Sequence, residues 1–174
     1  YTFNDPDGDV EAGSVMEWFK DGVHQALLDG LLIVDKALTS KGELWRIEVT
    51  PSDGTDTGTM VFASVTIGNS TPSAGALGIL PASPMTGDDL TASYTFNDPD
   101  GDLQSGSVME WFKDGVHQAA FDGLLTVPSA NTLLGETWRI QVTPSDGTST
   151  GVVAVSSSVL IGAPPNRFPT LASL

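Results

Sequence analysis

Residues 1–9 read YTFNDPDGD, and residues 94–102 repeat the same nine letters. After three residues that differ, each copy continues with GSVMEWFKDGVHQA and later reaches a WRI segment followed by VTPSDGT. Between residues 1–58 and 94–151, roughly three-quarters of the positions are identical. A duplication this close, with a period of about 93 residues, predicts two copies of one module, each near the size of a β-sandwich domain.

The composition of the chain is strongly acidic. Its 174 residues carry 22 acidic and 7 basic side chains, which gives a net charge of −15. Such a chain repels nucleic acid phosphates and attracts divalent cations, so we expect no nucleic acid partner. It has no cysteine, so no disulfide braces the modules. No apolar run is long enough to span a bilayer, and without a visible signal peptide or initiating Met the chain is interpreted as a mature or excised fragment.

Residues 90–97 show the period-two pattern of a half-buried strand. Leu90, Ala92, Tyr94 and Phe96 alternate with Thr, Ser and Asn residues. The first copy contains only the second half of this segment, and we expect residues 1–4 to continue a strand. The first module therefore lacks its first strand and half of its second.

The rest of each copy alternates short apolar runs with turn signals. In the first copy we predict strands at residues 14–20, 23–27, 31–34, 45–50 and 61–67. Asp21-Gly22 is typical of the tight turn that closes a two-residue hairpin, and no segment has a helical period. These signals predict an all-β fold of two tandem Greek-key β-sandwich domains, the first lacking its N-terminal strand.

The repeat also predicts the domain boundaries. Residues 1–68 form the domain that lacks its first strand, and residues 69–162 form a complete domain with its linker. Residues 163–174 align with residues 69–80, so that Leu171 falls on Leu77 and Leu174 on Leu80. This tail is interpreted as the linker and first strand of a further domain.

Three motifs carry a resemblance to a known group of proteins. They are the DPDGD loops at residues 5–9 and 98–102, MEWFKDG at 16–22 and 109–115, and the GE-to-SDGT segments at 42–55 and 135–148. On these motifs the chain resembles the tandem immunoglobulin-like repeats of large secreted prokaryotic surface proteins, including bacterial cadherin-like and polycystic-kidney-disease-type modules. The resemblance implies an immunoglobulin-like fold and an extracellular stalk, adhesin, surface-layer or filament role, often stiffened by calcium.

The acidic loops are the best candidates for a metal site. The predicted calcium ligands are Asp5, Asp7, Asp9, Asp98, Asp100 and Asp102. Alternating carboxylates separated by Pro and Gly let the loop curl, and calcium requires six to eight oxygen ligands. The alternative is an Asx-rich turn that satisfies its own backbone amides. For Asp53 and Asp146, in the PSDG turns, the turn interpretation is favoured.

Other chemistry-bearing side chains have simpler interpretations. The four tryptophans, Trp18, Trp45, Trp111 and Trp138, fit a core better than a sugar-stacking platform. Phe19 and Phe112 are candidates for contact with a neighbouring module. His24 and His117 have no cysteine or second histidine nearby, which argues against zinc or a catalytic triad. We expect no enzymatic activity. Asn69 begins an N-glycosylation sequon in the predicted linker.

The phase of the repeat suggests how chains associate. Phe168, Leu171 and Leu174 belong to a strand without a domain of its own, and the first module needs such a strand. Strand donation from one chain to the next would give a head-to-tail polymer of self-associating subunits. Alternatively, the chain is one window of a longer covalent array. Both lead to the hypothesis of an extracellular structural fibre, with an adhesin or glycan-binding module as the competing function.

Overall fold

The computed structural model describes residues 1–166 of the chain, which fold as an all-β protein with antiparallel strands and a few short 3₁₀ turns. The predicted fold class is confirmed at this level. Contacts divide the chain into two compact units, Tyr1–Asn69 (unit 1) and Ser70–Leu174 (unit 2). Within the described part, no helix is long and apolar enough to cross a membrane.

Unit 1 contains one four-stranded sheet. Its strands are β1 (Gly13–Lys20), β2 (Val23–His24), β3 (Leu44–Asp53) and β4 (Val61–Thr66), in the spatial order β2-β1-β3-β4. The remaining elements are 3₁₀ turns at Ala26–Leu28 and Lys36–Leu38. Asp21 and Gly22 both have positive φ, 50° and 80°, and join Lys20 to its partner Val23, which confirms the predicted tight turn.

The unit 1 sheet has one apolar and one polar face. Trp18, Ile47 and Ala63 lie side by side across β1, β3 and β4, and the alternation of strand residues places their neighbours at every second position on the same face. We call this the unit 1 apolar face, formed by Met16, Trp18, Trp45, Ile47, Val49, Val61, Ala63 and Val65. The opposite face carries the charged side chains of Glu17, Arg46 and Glu48.

The described residues of unit 2 form two sheets. Its strands are β5 (Ser73–Leu80), β6 (Leu90–Asn97), β7 (Val108–Lys113), β8 (Val116–His117), β9 (Thr126–Val127), β10 (Thr137–Thr143), β11 (Ala154–Val155) and β12 (Val159–Leu160). One sheet has the order β5-β6-β9, and the other has the order β11-β10-β7-β8 with β12 also paired to β10. Short 3₁₀ turns lie at Ala119–Phe121 and Ser129–Asn131.

The core of unit 2 lies between its two sheets. Ile79 and Leu90 from the three-stranded sheet belong to one buried cluster with Trp111, Trp138 and Ile140 from the other sheet. Leu90, Trp111 and Ile140 are completely inaccessible to solvent. This two-layer packing is the β-sandwich that the apolar alternation predicts.

Residues 1–4 are not a strand, contrary to the prediction. The same four letters at residues 94–97 are the end of β6, where Asn97, Phe96 and Thr95 pair with Ser73, Ala74 and Gly75 of β5. Unit 1 has no counterpart of β5 among the described residues. The segment therefore lacks the partner that would pair its backbone groups.

Of two other predicted strands in unit 1, the one at residues 23–27 is shorter than predicted and the one at residues 31–34 is absent. The return strand of the first hairpin ends at His24 because the chain turns into a 3₁₀ turn at Ala26–Leu28. Residues 31–34 have no strand pairing, whereas the second copy forms β9, whose Val127 pairs with Leu90 of β6. No described residues of unit 1 form a counterpart of β6 with which residues 31–34 could pair, so this segment is not a strand.

A half-buried ion pair links β1 to the start of β3 in unit 1, and an equivalent pair links β7 to the start of β10 in unit 2. Glu43 binds Lys20 at 2.5 Å and accepts hydrogen bonds from the Ser40 amide at 2.8 Å and the Trp45 indole at 3.0 Å. The Lys20 ammonium is the main cause that lowers the pKa of Glu43 from its ordinary value of 4.5 to about 2. In unit 2, Glu136 makes the same contacts with Lys113 and Trp138.

The duplicated tryptophans provide a matched test of the core. Replacing Trp111 by Ala should destabilise unit 2 by about 3–5 kcal/mol, because this side chain is fully buried between two sheets. Replacing its counterpart Trp18, which is only half-buried, should cost unit 1 clearly less. Hydrogen exchange followed by mass spectrometry reports each unit separately, and equal losses would contradict this account of the core.

Glu43 should make unit 1 sensitive to acid. A carboxyl whose pKa is lowered by folding stabilises the fold above its unfolded pKa, and this contribution is lost as the pH falls through the folded value. Unfolding followed between pH 4.5 and about 2 should therefore show a shallower loss of stability in Glu43→Gln than in the wild type. Asp7→Asn, which removes an exposed carboxylate, is the control and should leave the slope unchanged.

Candidate functional site

The acidic loops form Asx turns in both units. In unit 2, Oδ1 of Asp98 accepts hydrogen bonds from the backbone amides of Asp100 at 2.8 Å and Asp102 at 3.2 Å. Asp5 accepts the equivalent bonds in unit 1 at the same two distances. The turn interpretation of these loops is therefore correct for one oxygen of the first aspartate.

The second oxygen of Asp98 has a different environment. Oδ2 is buried, and no hydrogen bond reaches it within the part of the chain that the structure describes. Carboxylate oxygens of Asp98, Asp102 and Asp146 all lie within 4.8 Å of one another, and each of these residues is half-buried. A buried carboxylate oxygen without a donor is costly unless a cation compensates its charge, so these three residues fit a metal ion.

Asp146 reaches this cluster because the PSDG turn packs against the acidic loop. The Ser105 amide donates to the Ser145 carbonyl at 2.8 Å, and the Ser145 amide donates to the Ser107 hydroxyl at 2.9 Å. Oδ1 of Asp146 also accepts from the Thr148 amide at 2.6 Å, as the turn interpretation predicts. The sequence predicts the turn, but only tertiary pairing places it at the same end as the acidic loop.

Asp100 does not join the cluster although the sequence analysis includes it. Its carboxylate accepts from the Ser70 amide at 2.5 Å and the Ser70 hydroxyl at 3.1 Å, just ahead of β5. Alternation along an irregular loop does not place every second side chain on the same side. Asp98 and Asp102 therefore converge, while Asp100 binds the segment just before β5.

Unit 1 keeps the same residues in a looser arrangement. Asp5 and Asp53 line one hollow together with Asp56, but the described residues show no cluster of Asp5, Asp7 or Asp9 as tight as the one in unit 2. The amides of Asp56 and then Thr55 lower the pKa of Asp53, so this carboxylate stays charged in the turn. Of the two units, unit 2 has the better-formed candidate site.

A second kind of cluster surrounds each histidine. Glu17, His24 and Asp29 converge in unit 1, and Glu110, His117 and Asp122 converge in unit 2. Neither group follows from the absence of cysteines and second histidines near His24 and His117, because the partners of each histidine are carboxylates. A search for carboxylates within one hairpin and the following turn would have found them.

Three tryptophans belong to the core, as the sequence analysis expects: Trp45, Trp111 and Trp138 are exposed by 3% or less. Trp18 is half-buried on the unit 1 apolar face. Phe19 and Phe112 are half-buried beneath the guanidinium groups of Arg46 and Arg139, whose centres lie 5.1 and 4.2 Å from the ring centroids. Their role as contacts with a neighbouring module remains a prediction.

The unit 1 apolar face contains two open hollows that meet at Ile47 and Ala63. Val61 and Val65 at its edge are 57% and 58% exposed. Ile140, the counterpart of Ile47 in unit 2, is fully buried. The same apolar position is thus fully buried in unit 2 and only half-buried in unit 1.

Two further predictions concern the linker and the tail. Asn69 is half-buried and its side-chain oxygen is shielded from solvent, so its glycosylation remains a prediction. The predicted donor residues Phe168, Leu171 and Leu174 lie outside the described residues. No family model matches this chain, and no curated protein is significantly similar to it in sequence.

Proposed function

We propose that this chain is a structural subunit of an extracellular fibre or surface array, in which immunoglobulin-like modules join head to tail by β-strand complementation. The observation that carries this proposal is the unit 1 apolar face, which the described part of the chain covers only in part, whereas β5 and β6 cover its counterpart in unit 2. Met16, Trp45 and Val49 of this face are buried, but Ile47 is only half-buried, and Val61 and Val65 are more than half exposed. An apolar face of this kind favours a partner that removes it from water.

Unit 2 indicates what kind of segment fits the face. There, β5 lies against β10 and β11, and Ile79, Leu77 and Ala74 of β5 pack onto the core. Most residues of β1 and β3 in unit 1 are identical to those of β7 and β10 in unit 2. The unit 1 apolar face should therefore accept a strand whose apolar side chains have the same spacing as those of β5.

We propose the tail of a second copy as this strand. Residues 163–174 align with residues 69–80, which places Phe168 on Ala74 and Leu171 on Leu77, both of which pack against the core in unit 2. Leu174 falls on Leu80, which is 58% exposed, so we assign the anchoring to Phe168 and Leu171. Leu90 and Ala92 of β6 have no counterpart in this tail, so donation covers part of the face.

The unpaired segment at residues 1–4 supports the same arrangement. Its counterpart pairs with Ser73, Ala74 and Gly75, which align with residues 167–169 of the tail. A donated strand would therefore find both an apolar face and backbone groups to pair with. The donor and the acceptor are different surfaces, so the contact does not close and produces a filament.

We further propose that calcium stiffens the unit 2 module. Asp98, Asp102 and Asp146 join the start of the β6–β7 connection to the turn after β10, so one ion would tie two loops together. Calcium prefers carboxylate oxygens, and the net charge of −15 favours cation binding. The same charge would keep such a fibre soluble outside the cell.

The competing function, a glycan-binding or adhesin module, has weaker support. Sugar-binding platforms expose aromatic faces, and three of the four tryptophans here are buried. Trp18 remains half-exposed, but it lies on the face that unit 2 uses for sheet packing.

Assembly should depend on the unit 1 apolar face. The wild-type chain should form filaments in negative-stain electron micrographs, whereas Ile47→Asp should remain a monomer of 18.1 kDa by light scattering, because a charge in the centre of the face opposes strand docking. The double variant Phe168→Asp/Leu171→Asp should also remain a monomer, because it places charges on the two side chains that would anchor the donated strand.

Ser64→Asp is the matched control for assembly. Ser64 lies on the opposite, polar face of β4, next to Arg46, so this charge should leave filaments intact. A wild-type chain that stays monomeric at all concentrations, or an Ile47→Asp variant that assembles normally, would rule out strand donation.

Calcium should raise the melting temperature of unit 2. Asp98→Asn should abolish most of this rise, because it removes charge from a carboxylate whose Oδ2 is buried without a hydrogen-bond donor among the described residues. Asp5→Asn, at the equivalent position of the looser unit 1 site, should change the response less. Calorimetry with and without chelator measures both effects, and an unchanged melt in chelator counts against a calcium role.

A further inference from the structure

The histidine clusters have a geometry that the proposed function does not use. Nε2 of His24 lies 2.9 Å from Oδ1 of Asp29 and 3.6 Å from Oε1 of Glu17. In unit 2, Nε2 of His117 lies 2.8 Å from Oδ1 of Asp122 and 3.5 Å from Oε1 of Glu110. One imidazole nitrogen and two carboxylates therefore meet at one point in each unit.

Local structure holds the three side chains of unit 1 in place. Glu17 projects from β1 on the polar face, and the Asp21-Gly22 turn returns the chain so that His24 pairs with Phe19, two residues further along β1. The following turn is fastened across β1 by a hydrogen bond from the Gly30 amide to the Met16 carbonyl at 3.0 Å. This bond sets Asp29 beside the histidine.

The ring of each histidine is also oriented by packing. The centroid of His24 lies 5.2 Å from that of Phe19, and His117 lies 5.3 Å from Phe112, with interplanar angles of 34° and 35°. The phenyl ring limits the positions of the imidazole while Nε2 faces the two carboxylates. Such a preset ligand loses little conformational freedom when an ion binds.

The separations of 2.8–3.6 Å between the imidazole nitrogen and the carboxylate oxygens bracket the spacing of ligand atoms around a transition-metal ion. Zn–N and Zn–O bonds are about 2.0–2.2 Å long, so neighbouring ligand atoms in a tetrahedral or octahedral shell lie about 3.0–3.5 Å apart. An imidazole in the set favours Zn²⁺, Ni²⁺ or Cu²⁺ over Ca²⁺ and Mg²⁺, which prefer oxygen alone. The side chains are more than a third exposed in unit 1, which leaves room for water ligands.

We infer that each unit carries a surface site for a divalent transition-metal ion such as Zn²⁺, bound by Glu17, His24 and Asp29 in unit 1 and by Glu110, His117 and Asp122 in unit 2. The trio recurs although the turn between histidine and aspartate differs, with Leu27 and Leu28 replaced by Ala120 and Phe121. A bound ion ties the hairpin to this turn. The sites are separate from the aspartate cluster and do not depend on strand donation.

Equilibrium dialysis against Zn²⁺ tests the inference by counting ions per chain, whatever the assembly state. The wild type should bind two ions in excess Ca²⁺, His24→Ala or His117→Ala one, and the double variant none. Glu17→Gln, which keeps the histidine, should weaken the unit 1 site by roughly tenfold or more, because it removes a direct ligand. A ¹⁵N NMR spectrum should show the bound-state shift at Nε2 of both histidines.

Asp146→Asn is the control that separates the two kinds of site. It alters the aspartate cluster and should leave both Zn²⁺ ions bound. Circular dichroism establishes that each variant is folded before the ions are counted. The inference is overturned if the wild type binds no Zn²⁺, if excess Ca²⁺ displaces it, or if the double histidine variant binds as much as the wild type.

Discussion

Coverage of one apolar sheet face determines which segments of this chain become strands. In unit 2, the three-stranded sheet lies over Trp111 and Ile140 and removes both from water. In unit 1, the same sequence motifs build the same central strands, but the face is only partly covered: Trp45 and Val49 are buried, whereas Ile47 is half-buried beside two open hollows. A segment becomes a strand only where it has both an apolar contact and a backbone partner. The covering sheet of unit 2 provides both, so residues 94–97 and 126–127 are strands there, whereas residues 1–4 and 31–34 of unit 1 are not.

This dependence links packing to the proposed assembly. The face that needs a second sheet for its burial is also the face that would accept a strand from another chain, so folding and association use the same interaction. The polar side of the sheet contributes little to this contact. Its charged residues pair locally, as Arg46 does with Glu48, and its histidine clusters lie away from the apolar face.

The acidic ends of the module illustrate how one side chain serves two purposes. Oδ1 of Asp98 supports the turn by accepting two amides, while Oδ2 is left buried beside Asp102 and Asp146. The turn and metal interpretations are therefore compatible. What differs between the units is the convergence of the carboxylates, which the nearly identical loop sequences do not reveal. The PSDG turn is paired to the acidic loop in the same way in both units.

Residue order alone determined the all-β fold, the duplication, the tight Asp21-Gly22 turn and the burial of three of the four tryptophans. These features follow from local alternation, turn chemistry and the repeat itself. Residue order could not determine whether YTFN is a strand, because those four letters pair with β5 at residues 94–97 and have no such partner at residues 1–4. Nor could it bring Asp146 to Asp98 or Asp122 to His117. Those contacts depend on how separate segments pack, and only the tertiary structure decided them.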